Sequence, residues 1–177
     1  YLAEAKTIRS ICYFELVRRY GNVPLMETTA MSEQAPSTFV QEKPEVIYQF
    51  IEKDLTYACQ VLPYATEDVQ RTNTKYRLSK GAALGLLTKV YATWAGYPVK
   101  DESKWEEAAK TAKVLVESRK HALLNDFEAL WENTCNGKWD PTESLIEISF
   151  YSPTASSGAS DPCGRIGKWN GVKATMI

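Results

Sequence analysis

The chain contains a single histidine, His121, and this limits the catalytic chemistry that the sequence can support. A serine nucleophile of the hydrolase type needs a histidine base and a sharp strand-to-helix turn that presents the serine. The nearest match, Gly-Ala-Ser-Asp-Pro at residues 158–162, lacks the second glycine and has no strand directly before it. Because His121 lies where a predicted helix gives way to a turn, we expect it to be solvated or to cap that helix.

Three carboxylates are candidates for the paired acid and base of a glycoside hydrolase: Asp140, Glu143 and Glu147. The sequence does not fix the distances between them. The alternation of residues 144–151 predicts a strand in which Glu147 faces away from Ile146, which most simply means that it faces water. The residues therefore favour a protein that is not an enzyme.

The cysteines give no sign of a metal site. Cys12, Cys59, Cys135 and Cys163 are widely spaced, and with one histidine in the chain we expect no metal and no cofactor. Cys12 and Cys59 lie on apolar helical faces, so we expect them to be small buried side chains. Cys135 and Cys163 lie in polar loops and can pair only if the fold brings their Cα atoms within about 7 Å.

Aromatic residues near the C-terminal end suggest binding of a sugar. Aromatic faces stack on the apolar faces of sugar rings, and neighbouring amide or charged groups hydrogen-bond the hydroxyls. The candidate ligand-binding residues are Trp139, Tyr151, Trp169 and Asn170, with Asp140, Asp161 and Arg165 nearby in sequence. The alternative is that these aromatic residues pack against other parts of the fold.

Composition describes one domain with a real core. The chain has 177 residues, of which 44% are hydrophobic, so a single domain can bury roughly 70% of its unfolded surface. The formal net charge is −1, and no basic block is present, so we expect no nucleic-acid partner. No stretch reaches the roughly 18 apolar residues that a membrane-spanning helix needs.

Four amphipathic helices should position these residues. The first ends at Gly21, which can adopt a left-handed conformation, and Pro24 cannot continue it. The second begins at Pro44 and ends at Pro63. The predicted inward residues are Leu2, Ala5, Ile8, Cys12, Leu16 and Tyr20, with Tyr13 and Val17, in the first helix, and Ile47, Ile51, Leu55, Ala58 and Leu62 in the second.

The third and fourth helices resemble a tetratricopeptide-type hairpin in size and texture. Ser79 should cap the third, Gly96 should end it, and Ser103 with Glu106 should form a capping box for the fourth. The predicted inward residues are Ala83, Leu87, Val90 and Trp94 in the third helix, and Trp105, Ala108, Ala109, Ala112, Leu115 and Val116 in the fourth. Gly81 and Gly85 are small residues four positions apart, so they should let a neighbouring helix approach closely. A phosphate-binding loop is the alternative, but the order of residues around the two glycines does not fit one.

Five segments occur in an order and spacing that resemble the SusD/RagB family, the surface lipoproteins of Bacteroidetes that capture nutrients. They span residues 3–26, 44–63, 77–96, 104–118 and 143–150. The first contains Tyr-Gly-Asn-Val-Pro-Leu at residues 20–25, which looks like the family's most recognisable segment. The chain starts inside a helical pattern and ends without a stop signal, so we expect it to be a piece of a longer protein.

The resemblance implies a mainly α fold, in which residues 1–151 form a helical scaffold and residues 152–177 begin an irregular ligand-binding half. It also implies a non-catalytic protein that binds a glycan, or in some members a peptide, above a TonB-dependent transporter resembling SusC. A lipid anchor upstream of this chain would hold such a protein on the outer membrane. The alternative from another class is a helical-repeat module that binds a protein or peptide in its concave face.

Overall fold

The structure is a computed structural model that describes residues 1–27, 38–68, 77–135 and 139–147. The fold is mainly α, as expected. Its helices and strands are α1 (Leu2–Tyr20), β1 (Val23–Pro24), β2 (Gln41–Glu42), α2 (Pro44–Val61), a 3₁₀ turn (Ala65–Glu67), α3 (Lys80–Ala95), α4 (Lys104–Glu117) and α5 (Phe127–Cys135). The two short strands pair antiparallel, with Val23 opposite Glu42.

The first four helices lie side by side in chain order. α2 packs against both α1 and α3, and α3 packs against α4. Aromatic rings of α1, α2 and α3 are in contact with one another. The edge of one ring meets the other between Phe14 and Tyr48, whose centroids are 6.5 Å apart, and Tyr48 stacks on Trp94 at 5.4 Å between centroids. Packing of this kind joins the helices into one core.

The inward faces predicted for the second and third helices are correct. Each side chain that was expected to face inward is buried, and burying one large aliphatic side chain contributes about 1.5–3 kcal/mol. These residues are Ile47, Ile51, Leu55, Ala58 and Leu62 around α2, and Ala83, Leu87, Val90 and Trp94 in α3.

The inward face predicted for the first helix is largely wrong. α1 has the expected end, because Gly21 has φ +69° and its N–H donates to the Val17 carbonyl at 2.9 Å. Of the expected inward residues only Tyr13 and Val17 are buried, and the others are exposed. The buried residues are Ala3, Thr7, Ser10, Tyr13, Phe14 and Val17, and the exposed ones include Leu2, Ala5, Ile8, Cys12, Leu16 and Tyr20.

Small hydroxyl side chains explain that error. The Thr7 hydroxyl donates to the Ala3 carbonyl at 2.8 Å, so this polar residue is buried with its donor satisfied. The apolar stripe that defined the prediction lies on the opposite side of α1. Cys12, expected to be buried, is exposed there, whereas Cys59 in α2 is partly buried.

The fourth helix also differs from its prediction. Ser103 has helical backbone angles and makes no capping bond; instead its N–H and hydroxyl both donate to the Asp101 carboxylate. The capping box is therefore wrong at Ser103, whereas Ser79 caps α3 as expected by accepting from the Ala82 N–H at 3.2 Å. Within α4 only Ala108 is buried, while Trp105 and Val116 are 53% and 74% exposed.

Candidate functional site

Two irregular segments, residues 118–126 and 139–147, lie side by side, and the second begins with the predicted ligand-binding residue Trp139. They are joined by two hydrogen bonds: the Ala122 N–H donates to the Thr142 carbonyl at 3.0 Å, and the Leu124 N–H donates to the Glu143 carboxylate at 2.6 Å. These two bonds fix the position of one segment relative to the other.

Only one of the four predicted ligand-binding residues lies in the described part of the chain. Trp139 is partly exposed at the start of the second segment. Tyr151, Trp169 and Asn170 lie outside the described residues, so the structure does not test whether they meet Trp139.

The strand predicted for residues 144–151 is described only in part. Residues 144–147 are not in a strand, and the rest lie outside the described residues. Strand pairing is therefore not seen at its first four positions, and the remainder stays a prediction.

The three carboxylates considered for catalysis take part in local hydrogen bonds. Asp140 accepts from the Thr142 N–H at 2.7 Å, Glu143 binds the Leu124 N–H, and Glu147 accepts from the Ser144 hydroxyl at 2.5 Å. These bonds stabilise turns, which is an ordinary structural use of carboxylates in loops.

His121 is part of the packing between these segments and α3. Its ring lies 5.9 Å from that of Tyr64, and both ring nitrogens are shielded from solvent with no hydrogen-bond partner among the described residues. A solvated or capping role was therefore the wrong prediction. Beside it, the Lys120 ammonium lies 2.9 Å from the Glu67 carboxylate, and this hydrogen bond lowers the pKa of Glu67.

Gly81 and Gly85 make room for side chains of the two segments. A Cβ on Gly81 would lie 2.1 Å from His121 Nε2, and one on Gly85 would lie 2.7 Å from Leu145 Cδ1. The prediction that these glycines admit the backbone of a neighbouring helix is therefore wrong, because side chains of the two segments occupy the space.

Two clefts of about 320 Å³ each flank α4. The first cleft lies between the end of α4 and the irregular segments, and its wall is mostly apolar with one carboxylate. The second cleft has a more polar wall and lies among α2, α3 and α4. The first is lined by Leu115, Val116, His121, Ala122, Leu123, Glu143 and Leu145. The second is lined by Thr56, Cys59, Gln60, Lys80, Leu84, Leu87, Lys110, Thr111 and Val114.

Two exposed aromatic rings that the sequence did not single out lie on α5. Trp131 in α5 is 64% exposed and Phe127 is 78% exposed. Their signal in the sequence is weak, because an aromatic residue in an amphipathic helix is usually expected to face the core.

The described residues contain no cluster of three side chains that could hold a metal ion. Among them, too, no helix combines the length and apolar character needed to cross a bilayer.

Comparison with known proteins identifies the family. A family model of SusD-like proteins, described as starch-binding and associating with the outer membrane, matches residues 2–92, from the start of α1 into α3. The chain belongs to the SusD-like family.

Solved SusD-like structures share the helical arrangement. A SusD homologue from Bacteroides thetaiotaomicron is 71% identical and superposes with a TM-score of 0.90, covering 99% of this chain and 32% of that one. A laminarin-binding SusD-like protein is 29% identical, with a TM-score of 0.67, and covers 92% of this chain and 33% of that one.

A third solved structure contains a xylogluco-oligosaccharide. It is 30% identical, with a TM-score of 0.69, and the match covers 85% of this chain and 29% of that one. This SusD-like chain therefore spans about a third of the length of each of these three proteins.

Proposed function

We propose that this chain is part of a non-catalytic glycan-binding protein that captures oligosaccharides in an outer-membrane nutrient uptake complex. The observation that carries the proposal is the family match over residues 2–92, whose description names starch binding and the outer membrane. Two similar proteins carry glycans in their own descriptions, laminarin in one and a xylogluco-oligosaccharide in the other.

The helices serve as the scaffold of this protein. Their contacts include interior ring stacking and an ion pair between α1 and α2, Arg9 with Asp54 at 2.7 Å. Arg77, just before α3, adds an ion pair with Glu4 of α1 at 2.7 Å. A rigid layer of this kind can hold loops in fixed positions, and a ligand bound by preorganised loops costs less ordering entropy. We assign sugar contact to the loop-rich end that begins at Trp139.

The partner in this proposal is a TonB-dependent transporter resembling SusC, to which the captured sugar is handed. The protein would be held at the cell surface by a lipid anchor outside this chain. The local hydrogen bonds of Asp140, Glu143 and Glu147 agree with a protein that binds without turnover.

The test is a screen of the full-length protein against polysaccharides by affinity gel electrophoresis, with Trp139→Ala and Trp169→Ala beside the wild type. We expect retardation by at least one glycan, with a Kd between micromolar and millimolar, or about −8 to −4 kcal/mol. At least one of the two variants should weaken binding tenfold or more, because stacking of a sugar ring on an aromatic face is lost.

Trp105→Ala is the matched control, since this tryptophan is 53% exposed on α4 and belongs to the scaffold in the proposal. It should bind like the wild type. Binding that is lost equally in all three variants would indicate damage to the fold, and the absence of binding to any glycan would contradict the proposal.

A peptide-binding helical module is the second candidate, and the cleft among α2, α3 and α4 is the observation that favours it. Lys80 and Lys110 stand beside Val114, which is 51% exposed, in its wall, so it offers both charge and apolar surface to an extended peptide. Peptide binding that is lost in Val114→Asp, while Trp139→Ala retains it, would favour this candidate over glycan capture.

A further inference from the structure

The turn that directly follows Trp139, at residues 140–144, is closed by its own hydrogen bonds. The Asp140 carboxylate accepts from the Thr142 N–H at 2.7 Å, and the Ser144 N–H donates to the Asp140 carbonyl at 3.0 Å. An aspartate that binds the backbone two residues ahead is a common way to fix a turn. The direction in which Trp139 leaves this turn therefore depends on how the turn is attached to the rest of the protein.

Two hydrogen bonds attach the 140–144 turn to residues 122–124, and they differ in kind. The bond from the Ala122 N–H to the Thr142 carbonyl, at 3.0 Å, involves main-chain atoms alone. The bond from the Leu124 N–H to the Glu143 carboxylate, at 2.6 Å, uses a side chain, and a hydrogen bond to a carboxylate is stronger than one between neutral groups. Glu143 is also partly buried, which shields this bond from water.

The two bonds together fix an orientation that one bond cannot fix. Thr142 and Glu143 are adjacent in the turn, and their partners are two positions apart in the facing segment. A turn held by one hydrogen bond can swing about it, whereas a second bond beside the first prevents that motion. Without the Glu143 carboxylate, the main-chain bond of Thr142 alone would connect the turn to residues 122–124.

The segment that donates to Glu143 is itself fixed to the helical scaffold. The His121 ring lies so close to α3 that a Cβ on Gly81 would be 2.1 Å from its Nε2, and its centroid is 5.9 Å from that of the Tyr64 ring. The neighbouring Lys120 ammonium lies 2.9 Å from the Glu67 carboxylate. The Leu124 N–H, three residues after His121, is thus presented from a well-anchored segment.

Leu145 attaches the other end of the turn to α3. A Cβ on Gly85 would lie 2.7 Å from Leu145 Cδ1, so this side chain occupies the space beside that glycine. Leu145 follows the turn, whereas Trp139 precedes it. The Leu145 contact therefore fixes where the turn lies, and the bond of Glu143, between the two, sets how the turn is oriented.

We propose that Glu143 is a positioning residue for ligand binding: through its bond to the Leu124 N–H it sets the orientation of Trp139 and of the aromatic face that stacks on a sugar ring. The inference rests on the proposed function, because it takes Trp139 as a sugar contact. A ring that is held in place before binding loses less conformational entropy when the ligand arrives. Glu143 then raises the affinity for the glycan without touching it.

Affinity gel electrophoresis of the full-length protein, in a polysaccharide that retards the wild type, measures the effect on binding. Glu143→Ala should weaken binding about three- to tenfold, which is the cost of ordering one flexible side chain when the ligand binds. Glu143→Asp keeps the charge but is one methylene shorter, so it should weaken binding as well. Glu143→Gln keeps an oxygen that can accept the same bond, so it should restore most of the affinity.

Glu117→Ala is the matched control. The Glu117 carboxylate is 66% exposed at the end of α4 and lies 3.7 Å from the Lys113 ammonium. Removing this exposed carboxylate should leave the retardation of the wild type unchanged. Equal weakening in Glu117→Ala and Glu143→Ala would overturn the proposal, because the effect would then not depend on the bond to Leu124.

Fluorine NMR of the ligand-free protein separates positioning from direct contact with the sugar. Fluorinated tryptophan is incorporated into the full-length protein, and the Trp139 signal is assigned by its absence in Trp139→Phe. Glu143→Ala should shift or broaden this signal, leave that of Trp94 in the core unchanged, and Glu143→Gln should return the Trp139 signal to its wild-type position. An unchanged Trp139 signal in Glu143→Ala would overturn the proposal, because any loss of affinity would then come from another effect of Glu143.

Failure of this inference and failure of the proposed function give different results. Wild-type binding that Glu143→Ala and Glu143→Asp leave unchanged would overturn the positioning role and leave glycan capture in place. Binding that is lost in Trp169→Ala but not in Trp139→Ala would do the same, since Trp139 would not be a contact. A wild-type protein that binds no glycan would contradict the proposed function and this inference with it.

Discussion

The Asp54 carboxylate is only 1% exposed, and it lies between two cationic side chains from α1. Lys6 and Arg9 both reach it, and Arg9 also lies 4.5 Å over the Phe50 ring. A buried charge is costly without such partners, so the pairing joins α1 to α2 at a defined register.

Asp54→Ala should therefore destabilise the protein. It removes both ion pairs, but Lys6 and Arg9 are 21% and 33% exposed and can regain water, so we expect a loss of about 2–3 kcal/mol. Urea unfolding of the full-length protein measures it. Lys110→Ala is the matched control, because this lysine is 59% exposed and its pairs with Glu106 and Glu107 are screened by solvent.

The control should leave the urea midpoint almost unchanged. Equal losses in both variants would show that burial does not distinguish the two ion-pair clusters, contrary to our argument.

At the scale of elements, the buried faces of α2 and α3 could be predicted from the sequence, because neighbouring helices cover the apolar residues that recur at three- and four-residue steps. α2 also exposes Val46, Tyr57 and Val61, which lie outside that series. α1 could not, because it has apolar residues on both sides and hides Thr7 and Ser10 toward α2. Periodicity shows that a helix has an apolar face. It does not show whether a neighbouring helix covers that face, because the neighbour is formed by residues distant in sequence.

Helix caps show the same limit. Ser79 caps α3 through its own hydroxyl, as its sequence context predicts. Ser103 has an equally good context, but Asp101 lies two residues before it and takes its hydroxyl and N–H. A local competitor can thus override a capping box without changing where the helix lies.

The contact between α3 and His121 yields an element-scale prediction. Gly81→Ala should cost about 1–3 kcal/mol, because a Cβ would lie 2.1 Å from His121 Nε2 and the ring is held against Tyr64. Thermal unfolding of the full-length protein, with His121→Ala and the double variant, completes the cycle. The double variant should lose less stability than the sum of the losses in the two single variants, because removing the ring also removes the clash.

Gly85→Ala is the control on the same helix. Its Cβ would meet only the end of the flexible Leu145 side chain, and alanine gains up to about 1 kcal/mol of helix propensity. We expect a change within about 1 kcal/mol. Additive losses in the Gly81 and His121 cycle would refute the close-packing account.

At the scale of the whole molecule, the sequence supplied the family, the mainly α fold and the four long helices. The candidate site was harder to predict from the sequence, because aromatic residues that stack on sugars lie in loops and follow no fixed motif. Trp139 begins the second of two segments that are joined through Glu143 and Thr142, and that arrangement depends on contacts between residues about 20 positions apart.

The last prediction concerns which face of α1 holds the helical layer together. Phe14 is 2% exposed against Tyr48 of α2, whereas Ile8 on the other side of α1 is 54% exposed. Phe14→Ala should therefore cost about 3–5 kcal/mol, because it leaves a cavity, while Ile8→Ala should cost less than about 1 kcal/mol. Differential scanning calorimetry of both variants decides it: a large loss of Tm for Phe14→Ala alone is the expected result, and equal losses would contradict the assignment of the buried face.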